Sequence, residues 1–380
     1  MKILFACNDL DYFLLHRSNL LGPLLERGHD VSLCAGGNSQ SAERLPDGVH
    51  FIPVTLNQHH LDPLSDLKLT AQYARIVAGT QPDAVHCFTI KPNLYMALAL
   101  ASRRLLLRKT PRLVQTFPGL GKVFEPSTGM VAKIRRAVVA TLLRASCGLL
   151  DRSATFENSA DRDVMVQAGI VSADRAHVVA GAGLDLKTYV PASDQRGGEL
   201  SFLFASRLLK AKGVGTFLET ARTVRSEGSK ASFLIAGKPD PDNPDQFDMS
   251  LIDAAQDRGE VRYLGPLTSG QMVAALQDAD VVCLPTRLRE GFPRILAEAA
   301  ACGCVLIASD QPAIRQVLTQ PDNGWLIDPA DARDLTAVVQ ECLADPDRIR
   351  AMGTANAAAI RRMPVDDESV SAIFRKLYGL

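Results

Sequence analysis

Short apolar runs alternate with longer helical patterns along the whole chain, and this alternation limits the fold more than any other feature. The chain opens with the run KILFAC. A polar break and a leucine-rich helical pattern ending at Gly28 precede the next run, DVSLC. Strands that alternate with helices form parallel sheets, which carry helices on both faces and bind ligands beyond the carboxyl ends of their strands. The sequence therefore predicts an α/β fold built from βαβ units.

A polar, turn-rich stretch, PASDQRGGE over residues 191–199, divides the alternation into two series. A length of 380 residues suits two or three domains of roughly 150 residues each. We therefore expect one domain over residues 1–190 and a second over 191–364. The remaining residues, 365–380, contain a last helix over about 366–378.

Composition excludes several classes of protein. Hydrophobic residues make up 47% of the chain and charged residues 22%, which argues against disorder as the main state. Lys and Arg together number 42, as do Asp and Glu, so the chain lacks the overall basic field of a nucleic-acid binder. The opening reaches Asn8 and Asp9 too early for a signal peptide, and no run approaches the roughly 18 apolar residues of a membrane span. A cytoplasmic protein without a nucleic-acid partner is expected.

The eight cysteines are expected to be small buried hydrophobic residues, because Cys7, Cys34, Cys87 and Cys283 end or lie within apolar strand-like runs and the spacings do not form a disulfide framework. Cys302 and Cys304 form a Cys-Gly-Cys pair with no second pair to complete a zinc site. Asp240 and Asp242 have Asp-x-Asp spacing but lie in a proline-rich loop, where a turn is the simpler interpretation. We therefore expect neither a metal nor a cofactor.

Charge is uneven only over residues 101–150, where ten Lys or Arg face a single acid, Glu125. The same segment contains the apolar runs LLL and AVVATLL. A basic and apolar helical surface is attracted to an anionic membrane, and each cation contributes about 1 kcal/mol near the surface. The alternative is an ordinary solvated helix face.

Two generic nucleotide motifs are incomplete. The segments 181–186 and 119–124 each begin Gly-x-Gly but lack the third glycine of a dinucleotide fingerprint. The chain also contains no GxxxxGK[ST] sequence. These patterns argue against a dinucleotide site and against a P-loop.

The first informative cluster follows the run DVVCLP. There, Glu290-Gly291-Phe292-Pro293 forms a loop before a helix that carries Glu298. Glycine permits close backbone approach and proline suits the first helical turn. The amides of such a loop and helix start bind anions such as phosphate. The two carboxylates can hold hydroxyl groups at two ends of one ligand.

The second cluster follows the run SFLFAS, where Arg207, Lys210 and Lys212 lie in a turn before a helix. Arginine binds phosphate as a planar fork and lysine as a point charge, so this turn suits a diphosphate. A solvated basic turn is the alternative.

Together the two clusters resemble the retaining glycosyltransferase family 4, and the resemblance extends across most of the chain. Glu290 and Glu298 match the E-x7-E motif of that family, and Arg207 with Lys212-Gly213 matches its GRL…KG element, with Ser206 in place of the glycine. The segments YFLLHR, HCFTIKPN and GLGKVF resemble bacterial members that add sugars to polyprenyl-diphosphate carriers.

The resemblance implies a GT-B fold, in which two Rossmann-like domains face each other across a cleft and the second domain binds a nucleotide sugar. Glu298 would bind the ribose hydroxyls and Glu290 the transferred sugar. Arg207, Lys210 and Lys212 would hold the diphosphate, and with them the amides of Gly291 and Phe292 next to Pro293. We expect Glu290, Arg207 and Lys212 to be the catalytic residues, and we expect no metal.

For the first domain, the resemblance implies an acceptor-binding role, with the last helix crossing back to pack on it. Its cleft-lining residues would be His16, Arg17, His86, Lys91, Gly119 and Gly121. His86 has a second interpretation as a core residue, since it lies in an apolar strand. The segments Phe156–Ser159 and Gly181–Asp185 would contribute hinge or donor-contact backbone. His59 and His60 are left without a role.

The implied function is transfer of a sugar, from a UDP-type donor, to a polyprenyl-diphosphate-linked acceptor or a growing glycan in bacterial surface polysaccharide synthesis. Such an enzyme would lie at the inner face of the plasma membrane. Two alternatives are kept: a nucleotide-sugar epimerase or sugar phosphorylase on the same fold, and a non-catalytic scaffold.

Overall fold

The computed structural model describes residues 1–37, 39–56, 63–124, 129–192, 198–241, 243–319 and 322–380. The chain divides into two compact units: unit 1 is Met1–Gly183 with Asp367–Leu380, and unit 2 is Leu184–Asp366. The division falls between Gly183 and Leu184, whereas the sequence analysis placed it after residue 190. Arg361 explains this difference, because its guanidinium donates to the carbonyls of Leu186 and Tyr189 at 2.8 Å each and so holds that segment in unit 2.

The strands and helices alternate in chain order. The strands are β1 (Lys2–Asp9), β2 (Asp30–Gly36), β3 (Val49–Pro53), β4 (Ala84–Phe88), β5 (Arg112–Phe117), β6 (Arg152–Phe156), β7 (Ala176–Val178), β8 (Ser201–Ala205), β9 (Ser232–Ala236), β10 (Arg262–Gly265), β11 (Val281–Leu284), β12 (Val305–Ser309) and β13 (Gly324–Ile327). The helices are α1 (Leu10–His16), α2 (Gly22–Leu25), α3 (Ser39–Ala42), α4 (Pro63–Thr80), α5 (Ile90–Leu105), α6 (Gly121–Phe124), α7 (Met130–Cys147), α8 (Ser159–Gln167), α9 (Val214–Ser226), α10 (Met249–Asp257), α11 (Ser269–Asp278), α12 (Arg294–Ala301), α13 (Ala332–Ala344), α14 (Pro346–Ile360) and α15 (Asp367–Tyr378). Short 3₁₀ turns cover Ser18–Leu20, Ala173–Arg175, Lys210–Lys212 and Ile314–Gln316.

Unit 1 contains one parallel sheet, whose described strands run in the order β3-β2-β1-β4-β5-β6-β7. The central strands are buried on both faces, which explains why they read as continuous apolar runs instead of alternating patterns. Two separate clusters of buried side chains result, one centred on α5 and α7 and the other on Phe5, Phe13 and Phe88.

The last helix, α15, packs on unit 1. Val370, Phe374 and Tyr378 lie on one helix face and are buried in the same cluster as Phe5 and Phe13. The expectation that the chain end returns to the first domain is confirmed.

Unit 2 contains a second parallel sheet, in the order β10-β9-β8-β11-β12-β13 among the described strands. Phe202, Phe204, Phe217 and Phe233 fill its core, and Trp325 on β13 is also buried. Two Rossmann-like α/β units therefore confirm the predicted fold class.

One predicted element is wrong in detail. The leucine pattern before Gly28 reads as one helix, but the chain forms α1, a 3₁₀ turn and α2 instead. Arg17 leaves the helical region, with φ −135° and ψ −2°, and Pro23 lacks the amide that a continuous helix would need. This break determines where the side chains that follow β1 lie.

All eight cysteines are free and buried, as expected. Some other expectations fall outside the described residues. These are His59 and His60, the side chain of Lys122, Asp242, and residues 193–197 of the expected linker.

Candidate functional site

The strand order of unit 2 creates a switch point between β8 and β11. From β8 the chain winds outward through β9 to β10, and from β11 it winds the other way through β12 to β13. At such a point the loops at the carboxyl ends of the two strands diverge and leave a crevice for a ligand. The two predicted clusters follow β8 and β11, so the sheet places both at the same edge.

The loop after β8 lies directly against the loop after β11. Gly213 has φ +84°, and a Cβ built there would lie 2.0 Å from the carbonyl oxygen of Pro285. The amide of Arg287 donates to the carbonyl of Ala211 at 2.7 Å. Only glycine permits both this backbone conformation and this close approach.

The two clusters meet in an ion pair. Lys212 Nζ lies 2.7 Å from Glu290 Oε1, and the two side chains are only 13% and 15% exposed. A charge-assisted hydrogen bond of this length fixes both groups. Residues 78 positions apart in the chain are thus held together at the crevice.

A residue that the sequence analysis missed supports Glu290. The side-chain oxygen of Gln311 accepts from the Glu290 amide at 3.2 Å, and its amide nitrogen donates to the carbonyl of Thr286 at 2.9 Å. Gln311 follows β12 in an unremarkable sequence, and its role depends on strand order, so no local pattern could have revealed it.

Glu298 lies on α12 and is buried. Arg294, one turn earlier, donates through Nε to Glu298 Oε1 at 2.7 Å, and the hydroxyl of Tyr189 makes a second hydrogen bond to the carboxyl group. Burial raises the pKa of Glu298, and the charge of Arg294 and the two hydrogen bonds partly offset that rise. The carboxyl group is therefore held in one orientation. Arg294 and Tyr189 were not predicted.

The other predicted residues of unit 2 lie around the same edge. Arg207 is 60% exposed, with Nη1 3.5 Å from Asp240 Oδ2, and Lys210 is exposed on the 3₁₀ turn. Gly291 and Phe292 are half-buried in the loop, and Pro293 is the residue that precedes α12. Cations and a helix start thus share the crevice, an arrangement that suits a diphosphate.

Unit 1 has an equivalent switch point between β1 and β4. His16 and Arg17 follow β1, and Lys91 follows β4, so three predicted residues come to this edge. His16 is half-buried with its ring 4.8 Å from that of Tyr12, and Lys91 Nζ lies 3.3 Å from Asp66 Oδ1.

Arg17 is buried below this edge and does not line an open surface. Its Nη2 lies 2.5 Å from Glu157 Oε1, and its guanidinium lies over the ring of Phe88 at 5.4 Å. Burial acts to lower the pKa of Arg17, but the negative charge of Glu157 and the contact with Tyr12 outweigh it and raise that pKa. Glu157, expected to contribute only backbone, provides the counter-charge.

The cleft-lining role expected of His86 is wrong. Its ring is fully buried, with Nδ1 2.6 Å from the Tyr378 hydroxyl and Nε2 2.6 Å from the Thr116 hydroxyl. Burial, with the nearby charge of Arg17, lowers the pKa of His86 well below its usual range. His86 is a core residue that fastens α15 to the sheet.

Backbone geometry is unusual at the start of α5 and in the loop after β5. Thr89, which precedes α5, has φ +70° and ψ 166°, a region where a residue with a side chain is strained by about 1–3 kcal/mol. In the loop after β5, Gly121 has a left-handed backbone with φ +52°. Gly119 has open space around it, because a Cβ added there would meet nothing within 4 Å. Such strain concentrates at binding sites. The sequence gives no sign of it, because threonine normally avoids positive φ.

Over the described parts of the chain, no three His, Cys, Asp or Glu side chains are grouped closely enough to bind a metal. None of the helices described is both long and apolar enough to span a bilayer.

Comparison with known proteins agrees with the fold. Residues 187–359 match the family model Glycosyl transferases group 1, and residues 2–147 match Glycosyl transferase 4-like. The chain is 24% identical over 374 residues to the N,N'-diacetylbacillosaminyl-diphospho-undecaprenol alpha-1,3-N-acetylgalactosaminyltransferase of Campylobacter jejuni, covering 95% of this chain and 94% of that protein.

Two solved structures resemble the whole chain. Sucrose-phosphate synthase from Thermosynechococcus elongatus has a TM-score of 0.78 at 17% identity, covering 100% of this chain and 98% of that one. Anabaena HepE in complex with UDP has a TM-score of 0.77 at 18% identity, and both chains are covered fully. Two Rossmann-like units of this kind define the GT-B class of glycosyltransferase fold. The chain belongs to the group 1 glycosyltransferases, with a family 4-like N-terminal domain.

Proposed function

We propose that this glycosyltransferase is a retaining enzyme, which moves a sugar from a UDP-sugar to a polyprenyl-diphosphate-linked acceptor or a growing glycan. Unit 2 would bind the donor and unit 1 the acceptor. The observation that carries the proposal is the meeting of Lys212 and Glu290 at the switch point of unit 2. UDP is favoured because the structurally similar HepE was solved with UDP. The acceptor class is favoured because the Campylobacter relative is named for a diphospho-undecaprenol substrate.

In this proposal the cations of unit 2 stabilise the leaving group. Cleavage of the bond from the sugar to phosphate builds negative charge on the nucleoside diphosphate, and Arg207, Lys210 and Lys212 meet that charge together with the amides of Gly291 and Phe292. Because these groups are already in place, they supply the neutralisation that a divalent metal supplies elsewhere. We therefore propose a metal-independent reaction.

Glu290 and Glu298 would hold the two ends of the donor. The Glu298 carboxylate, oriented by Arg294, suits the two hydroxyls of ribose, because an ionised carboxylate has about four acceptor positions and can accept from both hydroxyls while the Arg294 contact remains. Glu290 would accept from hydroxyls of the transferred sugar while it remains paired with Lys212. Binding of the sugar is thereby coupled to the cation that stabilises the diphosphate.

We propose that retention proceeds by the simplest route, in which the acceptor hydroxyl attacks the face from which the diphosphate leaves. The acceptor oxygen forms a bond to the anomeric carbon as the bond from that carbon to the diphosphate oxygen breaks. The proton of the acceptor hydroxyl passes to an oxygen of the departing diphosphate. Atoms and charge balance without an additional base.

The acceptor would lie at the switch point of unit 1. Lys91 and His16 are partly exposed polar groups there, and the start of α5 with the Gly119 and Gly121 loop provides backbone amides. Arg17 and His86 are buried and would support this edge from within the unit.

The experiment is a panel of nucleotide sugars with EDTA present, measured by thermal shift and by release of nucleoside diphosphate. A ligand at 100 times its Kd adds about 2.7 kcal/mol of stability. We expect a shift with UDP and one UDP-sugar, and its loss in Glu298→Ala. Lys212→Ala and Arg207→Ala should raise donor KM and lower kcat.

Glu341→Ala, which removes an exposed carboxylate from another ion pair of unit 2, is the matched control. A lack of response to every nucleotide would refute the donor assignment. Activity that appears only when Mg²⁺ replaces EDTA would refute metal independence.

We further propose peripheral association with the inner face of the plasma membrane through residues 101–150. Val131, Ile134, Val138 and Leu142 form one face of α7 and are exposed, Val131 by 79%. Leu105, the last residue of α5, and the following Leu106 and Leu107 are also exposed, Leu107 by 94%. Exposed cations Arg104, Arg108, Lys109 and Lys133 accompany them. An apolar face with basic neighbours suits an anionic bilayer.

Flotation with phosphatidylglycerol vesicles tests this association. Reversal of those four charges should release the protein, whereas reversal of four exposed cations in unit 2 (Arg222, Arg262, Arg315 and Arg333) should not. Equal loss of binding in both variants, or no binding by the unaltered chain, would refute a specific membrane face.

A further inference from the structure

The carboxylate of Glu298 is held by two donors on different elements. Arg294 belongs to the same helix, one turn away, and its Nε lies 2.7 Å from Oε1. The second donor, the hydroxyl of Tyr189, comes from the segment that enters unit 2 before β8. Glu298 is therefore oriented by contacts that are remote in the sequence as well as by its own helix.

Arg361 fixes the segment that carries Tyr189. Its Nη1 donates to the carbonyl of Leu186 and its Nη2 to that of Tyr189, both at 2.8 Å, and Nη2 also lies 3.5 Å from the carbonyl of Ala301 at the end of α12. One guanidinium thus joins the Tyr189 backbone to the helix that carries Glu298. The phenol ring is itself buried, so its hydroxyl has little freedom to turn away.

We propose that Tyr189 is a positioning residue for the carboxylate of Glu298, which it holds in the orientation that binding of the donor ribose requires. This inference rests on the proposed function and extends it to a residue outside the E-x7-E motif. A phenol donates one hydrogen bond to a carboxylate, so with Arg294 two of the acceptor positions on Glu298 are occupied. The carboxylate keeps further acceptor positions for the hydroxyls of a ligand.

The hydrogen bond also has a consequence for pH dependence. Burial raises the pKa of Glu298, and the Tyr189 hydroxyl acts in the opposite direction. Burial raises the pKa of Tyr189, and the charge of Glu298 and the same hydrogen bond raise it further, so the phenol remains protonated and remains a donor. Removal of the hydroxyl should therefore raise the pKa of Glu298 further, and the carboxylate should be neutralised at a higher pH than in the unaltered protein.

The test is titration of the full-length protein with UDP, for Tyr189→Phe and the unaltered chain, across acidic to neutral pH. We expect Tyr189→Phe to weaken UDP binding up to about tenfold at neutral pH, equivalent to about 1.4 kcal/mol. The acid limb of the binding profile should move to higher pH, while kcat at saturating donor should change little. A residue with only a structural role would not move that limb.

Tyr73→Phe is the matched control, because the buried Tyr73 hydroxyl has no hydrogen-bond partner among the described residues. In a Glu298→Gln background, which does not titrate, Tyr189→Phe should no longer shift the acid limb. Urea denaturation followed by Trp325 fluorescence establishes that each variant of unit 2 is folded.

Two results would overturn the inference in different ways. If the unaltered protein binds UDP through Glu298 but Tyr189→Phe keeps the same Kd and acid limb, Tyr189 does not position the carboxylate. If the unaltered protein binds neither UDP nor any nucleotide sugar, the proposed function fails and this inference fails with it.

Discussion

Replacement of Gly213 by alanine should lower the stability of unit 2 and weaken binding at its proposed donor site. Gly213 lies between Lys212 and α9, at φ +84°, and an added Cβ would lie 2.0 Å from the carbonyl oxygen of Pro285. Gly228, at the other end of α9, provides the comparison. It has φ +78°, but a Cβ there would meet nothing within 4 Å. Both substitutions place alanine in a left-handed backbone conformation, but only Gly213→Ala also produces a steric clash.

The expected magnitudes follow from these two terms. A left-handed conformation costs a residue with a side chain roughly 1–2 kcal/mol, which is the whole effect expected for Gly228→Ala. At Gly213 the added Cβ would lie 2.0 Å from a backbone oxygen, which is 1 Å shorter than the 3.0 Å below which Cβ contacts essentially do not occur. A backbone atom cannot move aside as the end of a flexible side chain can. Overpacking of this kind adds about 1–3 kcal/mol. Gly213→Ala should therefore cost about 2–5 kcal/mol.

Trp325 makes the measurement specific to unit 2. It is the only tryptophan of the chain and is buried on β13, so its fluorescence during urea denaturation reports the unfolding of that unit. Gly213→Ala should also weaken UDP binding, because relief of the collision moves the loop that carries Lys212. Equal shifts of the urea midpoint in the two variants, with equal UDP affinity, would refute the reasoning.

Two further predictions concern buried polar groups of unit 1. His86 has a folded-state pKa well below its usual range. As pH falls, its imidazole is therefore protonated in the unfolded chain before it is protonated in the folded protein. Stability is then lost as pH falls below about 6.5, by up to about 1.4 kcal/mol per pH unit. Urea denaturation followed by circular dichroism should show a shallower pH dependence in His86→Gln, and an unchanged slope would contradict this assignment. Arg17→Leu or Glu157→Gln alone should destabilise the protein by about 3–5 kcal/mol, because each leaves a buried polar group without its partner. The double variant Arg17→Leu with Glu157→Leu removes both polar groups and should recover much of that loss. A double variant as unstable as the sum of the single ones would argue against that explanation.

The fold was predictable from the sequence because its parallel strands are buried on both faces. Runs such as KILFAC and VLIAS are continuous and apolar for that reason, and the helices between them are long enough to show their own period. Peripheral strands were harder to identify. β3, which contains His50 and Pro53, is only partly buried, and β7 has three residues, so neither has a strong pattern.

The site was predictable where charge and glycine spacing are local. Lys212, Glu290 and Glu298 were identified from two short motifs, which the sheet brings to one edge. Tyr189 and Gln311 were missed, as was the side-chain role of Glu157, because each acts through a partner far away in the chain. His86 was placed incorrectly because a histidine in an apolar strand has the same local sequence whether it faces a ligand or Tyr378.

The burial of every cysteine has a practical consequence for measurements on this enzyme. Alkylating reagents attack the thiolate, and burial raises the pKa of Cys7 and of Cys342 to about 12, so these thiols stay protonated at neutral pH as well as out of reach. A cysteine introduced on the surface would therefore be the preferred site of labelling with no native residue removed. At Val131, on the exposed face of α7, an environment-sensitive fluorophore would report directly whether that face enters a bilayer.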